Sequence, residues 1–140
     1  MTRKLILPRH MVFHHDLHLL VFRPKEIITK KAIDKDIEYL ERIEDKMKAP
    51  FNRFTDLSRI PQMGLTFEDV FRISLHRRVK YGKGPPVKSA FYVTTAETAR
   101  AVRTHALLTQ HSPLLVKMFE DFDAAAKWLG VASEDLQIGE

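Results

Sequence analysis

The chain has 140 residues, a net charge of +5 and no cysteine. The absence of cysteine excludes a disulfide framework, a thiol nucleophile and a thiolate metal site, and it fits a reducing, cytoplasmic location. The longest uninterrupted apolar runs, such as LLVF and AFYV, have four residues. Because roughly 20 apolar residues are needed to cross a bilayer as a helix, we expect no membrane span.

Apolar runs lie on both sides of Pro8 near the start of the chain: KLIL at residues 4–7 and MVF at 11–13. They predict an opening strand or two short strand pieces. Pro8 favours an edge position, because a proline has no N–H to donate to a neighbouring strand. HLLVFRP at 18–24 predicts the next strand, and a hairpin around His14 to Asp16 is the simplest connection.

The first helix is predicted over residues 30–47. Its apolar residues recur at intervals of three and four and therefore share one face: Ile33, Ile37, Leu40, Ile43 and Met47. The opposite face is charged and belongs in water. Pro50 prevents continuation, because the residue before a proline is pushed out of the helical region. The strand FNRFTDLSRI is predicted at 51–60.

A second helix is predicted to begin at Thr66. The Thr66 hydroxyl caps the first turn, and Asp69 three residues later completes a capping box. Helical spacing predicts the buried side of this helix: Phe67, Val70, Phe71, Ser74, Leu75 and Arg78. The segment YGKGPP ends the helix, with Gly82 expected in a left-handed conformation.

Two further pairs of strand and helix complete the chain. VKSAFYVT at 87–94 has apolar residues on both strand faces, as expected for a central parallel strand with helices on either side. Thr94 and Glu97 form a T-x-x-E signature at the start of the third helix. LLVKMF supplies the last strand, and the last helix begins at an aspartate of EDFD and ends at Gly130.

This alternation predicts an α/β domain with a mixed, mainly parallel central sheet of about five strands and four helices. The 140 residues fit a single domain, 1–140, with a core at about 15–130. The polar residues 131–140 are expected to form a loosely held, flexible tail.

Three segments carry a family resemblance beyond this order: FTDLSRI, AFYVTTAETARAV and the closing FEDFDAAAKWLG. Together with the order of elements, they resemble the STAS domain, and most closely its SpoIIAA-like branch, which is related in fold to Sec14-type lipid-transfer domains. The resemblance covers roughly residues 15–130. It implies a bacterial-type, non-enzymatic regulatory module that binds a protein partner and needs no cofactor. The Sec14 relationship implies an alternative: a carrier of a small apolar or lipid-like ligand, in which helices two and three part from the sheet to leave a pocket.

In the anti-sigma-factor-antagonist branch of that family, a phosphorylatable serine lies in a D-S-S-G-like segment at the start of the helix that follows the D-L-S strand. The matching stretch here runs from Asp56 through Ser58 to Thr66 and lacks the serine pair. Thr66 is the nearest hydroxyl, and its capping role explains it without phosphorylation. Ser58 and Thr66 are therefore the two hydroxyls at which regulation of this kind would act.

The carboxyl ends of parallel strands form the edge at which open α/β domains bind their ligands. The candidate partner-binding or regulatory residues at this edge are Asp56, Ser58, Thr66, Thr94 and Thr95. Residues 72–88 add a basic stretch with six lysines or arginines and no acid. Such a stretch steers an acidic protein partner, so Arg77 and Arg78 are candidates as well, and no nucleic acid is expected.

Histidines supply two alternatives. The cluster HHDLH at 14–18 contains possible metal ligands, but adjacent residues of a strand point to opposite faces, so a surface turn is favoured and no metal is expected. His76 or His105 beside a carboxylate in a deep pocket would make a dispersed catalytic site. The chain has no G-x-G-x-x-G, P-loop or G-x-S-x-G motif to support nucleotide or acyl-transfer chemistry.

Overall fold

The computed structural model describes residues 4–7 and 10–137, with side chains from residue 10 onward. These residues contain six strands and four α-helices. The strands are β1 (Lys4–Leu7), β2 (Met11–His14), β3 (Leu19–Phe22), β4 (Asn52–Asp56), β5 (Val87–Tyr92) and β6 (Leu114–Phe119). The helices are α1 (Lys30–Met47), α2 (Phe67–Tyr81), α3 (Ala96–Leu108) and α4 (Phe122–Leu129).

The strands form one sheet in the order in which they follow along the chain, β1 to β6. β1, β2 and β3 pair antiparallel, whereas β3 to β6 pair parallel. The predicted α/β class, the mainly parallel sheet and the four helices are confirmed. In the described residues the sheet has six strands, one more than about five, because the two opening pieces form separate antiparallel strands. Pro8, which was expected at an edge, lies outside the described residues.

Side-chain caps set the starts of the helices. Thr29 caps α1 by accepting a hydrogen bond from the Ala32 N–H at 3.1 Å, and α1 has the predicted bounds. Thr66 and Asp69 form the predicted capping box of α2. The third helix begins one residue later than predicted, because Thr95, not Thr94, accepts the capping hydrogen bond.

Helices cover both faces of the sheet. On one face, α4 packs against β3, β4 and β5 in a cluster that includes Val21, Phe54, Ala90 and Leu129. On the other face, α1 packs towards β2 and β3, and α3 packs towards β5 and β6. α2 forms hydrogen bonds to both α1 and α3. The central parallel strands are therefore buried between two helical layers, as predicted for 87–94.

The segment after α4 is packed, which differs from the loosely held tail expected at 131–140. A short 3-10 helix, Ser133–Leu136, follows α4. Leu136 is fully buried in the same cluster as Leu129. Residues 138–140 lie outside the described residues.

α2 turns a different side to the interior from the one predicted. Its buried residues are Val70, Ser74, Arg77 and Tyr81. The exposed residues include three that were predicted to be buried, Phe67, Phe71 and Leu75. The prediction of an apolar buried stripe is therefore wrong for these three residues. The reason is hydrogen bonding. Arg77 and Tyr81 have their partners, Glu41 and Glu44, on α1, so this side of α2 faces the interior.

Candidate functional site

A buried polar network joins α1, β4 and α2; it consists of Glu41, Glu44, Arg53, Arg77 and Tyr81. Arg53 Nη2 donates to Glu44 Oε2 at 2.9 Å, and the Tyr81 hydroxyl donates to the same oxygen at 2.8 Å. Arg77 Nη1 donates to Glu41 Oε2 at 2.7 Å. Both guanidinium groups also donate to the Tyr81 hydroxyl oxygen. The network thus connects three elements that are far apart in the chain.

Burial changes the proton affinity of this network. It raises the pKa of Tyr81, against the charges of Arg53 and Arg77, which lower it. Burial also lowers the pKa of Arg77, and the neighbouring Arg53 charge acts in the same direction. Because a buried charge is costly unless it is paired and hydrogen-bonded, Glu41 and Glu44 are needed to keep the two guanidinium groups inside.

The basic stretch of α2 is largely engaged within the domain. Arg77 is only 5% exposed, and Arg78 donates to the main-chain oxygens of Leu108 and Gln110 after α3. Arg77, which was a candidate for steering an acidic partner, is therefore buried and paired within the domain. Further ion pairs between α2 and α1 are Arg72 with Asp34, His76 with Glu41 and Lys80 with Asp45. The acids of α1 thus explain much of the basic composition of α2.

A mainly apolar cavity of about 150 Å³ lies between α1, α2, α3 and the sheet. Its floor consists of strand residues that include Leu20, Phe22, Arg53, Thr55, Ser89 and Phe91. Its walls consist of helix residues that include Ile33, Ile37, Leu40, Ile73, Arg77, Ala101 and His105. Three apolar residues of α1, Ile33, Ile37 and Leu40, line this cavity and are half-buried.

His105 brings a titratable ring to the cavity wall. Its Nδ1 lies 2.8 Å from the hydroxyl oxygen of Ser74, and its ring meets Phe91 edge-on with the centroids 5.8 Å apart. Burial, and then the charges of Arg77 and Arg53, lower the pKa of His105 to about 4. The ring is therefore uncharged near neutral pH.

The carboxyl edge of the sheet holds a smaller cluster. Arg23 Nε donates to Asp56 Oδ2 at 2.8 Å, and the N–H and hydroxyl of Ser58 donate to Asp56 Oδ1 at 2.8 and 2.6 Å. Asp56 is fully buried, so these bonds satisfy its charge. The structure thus brings two predicted residues, Asp56 and Ser58, together with Arg23, which sequence reasoning did not find.

The three threonine candidates have local roles at helix starts. The hydroxyls of Thr66 and Thr95 accept capping hydrogen bonds at the starts of α2 and α3. Thr94 is exposed after β5. Glu97, the expected partner of Thr94, instead accepts a hydrogen bond from the Met63 N–H at 2.6 Å.

Sequence reasoning missed the network residues Glu41, Glu44, Arg53 and Tyr81. It also placed the charged face of α1 in water, whereas the structure buries Asp36 and Glu44. One signal was present: Arg53 is a charge between apolar residues of a predicted strand. Its partners carried no signal, because Glu44 is nine residues before Arg53 and Tyr81 is 28 residues after it. Such pairing depends on how the helices dock and not on sequence spacing.

The histidine side chains of residues 14–18 do not form one cluster. His14 is buried at the end of β2, whereas His15 and His18 are exposed. Among the residues with described side chains, no three histidines, aspartates or glutamates are grouped so that they could hold a metal ion. Over the same part of the chain, no helix combines the length and apolar character needed to cross a bilayer.

Comparison of the chain with protein-family models, with curated proteins and with solved structures finds no match.

We expect Tyr81→Phe to lower the free energy of unfolding by about 1–3 kcal/mol, because it removes a buried hydroxyl that joins two guanidinium groups to Glu44. Urea denaturation measures this change. Tyr39→Phe is the matched control, since the half-buried Tyr39 packs on the apolar cluster of β2 and β3 and its hydroxyl bonds to no described residue. Equal effects of the two substitutions would contradict the role assigned to the network.

His105 should make stability depend on pH. Its pKa is about 4 in the folded chain, against an ordinary value of 6.5. The unfolded chain therefore binds a proton first, and the free energy of unfolding should fall as the pH drops from about 6.5 to about 4. His105→Gln should show a flatter dependence in this window, measured by urea denaturation at several pH values. Parallel curves for the two proteins would contradict the prediction.

Proposed function

We propose that this protein is a non-enzymatic, cytoplasmic binding module of the SpoIIAA-like type that carries a small apolar ligand in the cavity between α1, α2, α3 and the sheet. The cavity is the observation that carries this proposal. Support for the family comes from four successive pairs of strand and helix whose strands keep chain order in a parallel sheet. The lack of cysteine supports a reducing location.

The size of the cavity favours a ligand site over an ordinary packing defect. Protein interiors are close-packed, and voids larger than a water molecule are few. Truncating buried side chains destabilises a protein in proportion to the volume of the cavity that is left. On that scale, a cavity of 150 Å³ lowers the free energy of unfolding by about 3–4 kcal/mol. That is a large part of the roughly 5–15 kcal/mol by which a domain is stable. A bound apolar molecule of about the size of benzene would recover much of this cost.

α1 is the element beside which such a ligand would enter. Its apolar residues, among them Ile33, Ile37 and Leu40, remain half-exposed next to the cavity. The contacts that hold α1 to α2 include two ion pairs between side chains that are each at least one-third exposed: Arg72 with Asp34 and Lys80 with Asp45. Exposed ion pairs of this kind are weak, so small movements of α1 are inexpensive.

Filling the cavity should abolish apolar binding or weaken it by at least about tenfold. Ala101 lines the cavity on α3, so Ala101→Met places a longer apolar side chain inside. Toluene is the probe, and NMR shifts of the methyl groups of Ile33, Ile37 and Leu40 measure its binding. Ala96→Met is the matched control, because Ala96 is exposed on the same helix.

Two outcomes would contradict the carrier function. One is the absence of toluene-induced shifts in the unaltered protein at millimolar toluene. The other is an equal effect of Ala96→Met and Ala101→Met when thermal denaturation shows both variants folded. Native mass spectrometry of protein purified from its own cells adds a direct readout, since a carrier should retain a small-molecule mass.

A second candidate function is protein binding, and the exposed apolar side of α2 favours it. Phe67, Phe71, Leu75 and Val79 follow one another at intervals of four, and Phe67 and Val79 are 65% and 79% exposed. We name these four residues the α2 stripe. Because contiguous exposed apolar residues mark interaction sites, the α2 stripe is a candidate docking surface. Ser58 with Asp56 and the exposed Thr94 are the candidate regulatory groups of this function.

For the protein-binding function, we expect Val79→Glu to remove a partner that co-purifies from the native host. Val79 lies on the surface, so the substitution should change stability by no more than about 0.5 kcal/mol. Leu107→Glu on α3 is the matched control, because Leu107 is 67% exposed and outside the α2 stripe. Recovery of the same partner with both variants would contradict docking at the α2 stripe.

A further inference from the structure

The floor of the cavity carries polar groups that lack partners within the described part of the chain. Thr55 and Ser89 line the cavity, and neither hydroxyl forms a hydrogen bond with a described residue. Arg53 also lines the cavity. Its Nε is buried and has no hydrogen-bond partner there either. The two hydroxyls are therefore available to a ligand in the cavity, whereas Arg53 Nε is closed off from it, as is Glu44 Oε1.

These groups lie together on one face of the sheet. Arg53 on β4 is directly opposite Ser89 on β5 in the parallel register. Thr55 is the next residue of β4 on the same face, because side chains alternate along a strand. The surrounding floor is apolar and includes Leu20, Phe22 and Phe91. The polar groups therefore form one spot within an apolar surface.

Two cationic side chains lie on this side of the cavity. Arg53 and Arg77 are the cations of the lining, and both of their charges lower the pKa of His105 in the adjacent wall. Both arginines therefore act as positive charges towards this wall, although Glu44 pairs with Arg53 and Glu41 pairs with Arg77. A ligand group that is negatively charged is therefore favoured here over a neutral one.

Asp36 is the acid of the lining. It is eight residues before Glu44 on α1, a distance of about 12 Å along the helix axis. Glu44 marks the end at which Arg53 lies, because the two side chains are bonded. Asp36 and Arg53 are thus separated along α1.

We propose that the ligand is a small carboxylic acid whose carboxylate binds the Thr55 and Ser89 hydroxyls beside the Arg53 side chain, while its apolar body lies under α1. This inference rests on the proposed carrier function and adds the chemical class of the ligand. Hydroxyl and guanidinium donors both suit a carboxylate, which accepts up to four hydrogen bonds. The cavity of about 150 Å³ limits the enclosed apolar body to about the size of a benzene ring.

Three probes that share one ring separate this inference from the carrier function: benzoate, benzyl alcohol and toluene. Titration at neutral pH, followed by NMR shifts of the cavity methyl groups, gives the dissociation constant of each. We expect benzoate to bind at least about tenfold more tightly than toluene, because its charged group gains hydrogen bonds that the hydrocarbon lacks. Benzyl alcohol should lie between them.

A double variant tests the residues. Thr55→Val with Ser89→Ala should weaken benzoate binding by at least about tenfold while toluene binding changes little, since only the hydroxyls are removed. Thr104→Val is the control, because the Thr104 hydroxyl bonds to the main chain of Arg100 on the exposed side of α3. Circular dichroism establishes that each variant is folded.

The outcomes separate the carboxylate inference from the carrier function. Toluene binding without tighter benzoate binding overturns the carboxylate inference and leaves the carrier function in place. Tighter benzoate binding that the double variant does not change overturns the assignment of Thr55 and Ser89. If neither benzoate nor toluene shifts the cavity methyl groups at millimolar concentration, the carrier function itself is overturned.

Discussion

A buried arginine in the middle of a strand is the constraint on which the rest of this structure depends. Arg53 lies on the inner face of β4 and is 5% exposed. Its charge must be paired there, because leaving one partner of a buried ion pair alone costs about 3–5 kcal/mol. Glu44 of α1 and Tyr81 of α2 supply the partners. Satisfying this one residue therefore sets how two helices dock on the sheet.

The same constraint explains why α2 presents apolar residues to solvent. Turning Arg77 and Tyr81 inward places Phe71 and Val79 on the outer side of the helix. Buried ion pairs add little net stability compared with well-packed apolar residues, so the network is not explained as a source of stability. What it does determine is the rotation of α2. An apolar α2 stripe on the surface is the consequence.

Local signals in the sequence were sufficient for most of the fold. The apolar spacing from Ile33 to Met47 predicted α1 with its observed bounds, and the Thr66–Asp69 pair predicted the start of α2. These features depend on neighbours within one or two turns, which a single sequence displays. The rotation of α2 and the burial of Leu136 depend on contacts made after the elements assemble. Apolar spacing alone cannot predict that Arg77 is buried and Phe71 exposed, because the partner that keeps Arg77 inside, Glu41, is on another helix.

The cavity follows from this polar docking of α1 and α2. Ion pairs and hydrogen bonds between Glu41, Glu44, Arg53 and Arg77 hold α1 beside α2 over the sheet, and these groups do not interdigitate as apolar side chains do. The apolar face of α1 is left half-buried over free space. The network therefore fixes α1 and α2 over the sheet and puts two guanidinium groups, each paired with a glutamate, at one end of the space between them. An amphiphilic anion would match such a cavity, so the ligand class that we propose rests on the same residues that build the fold.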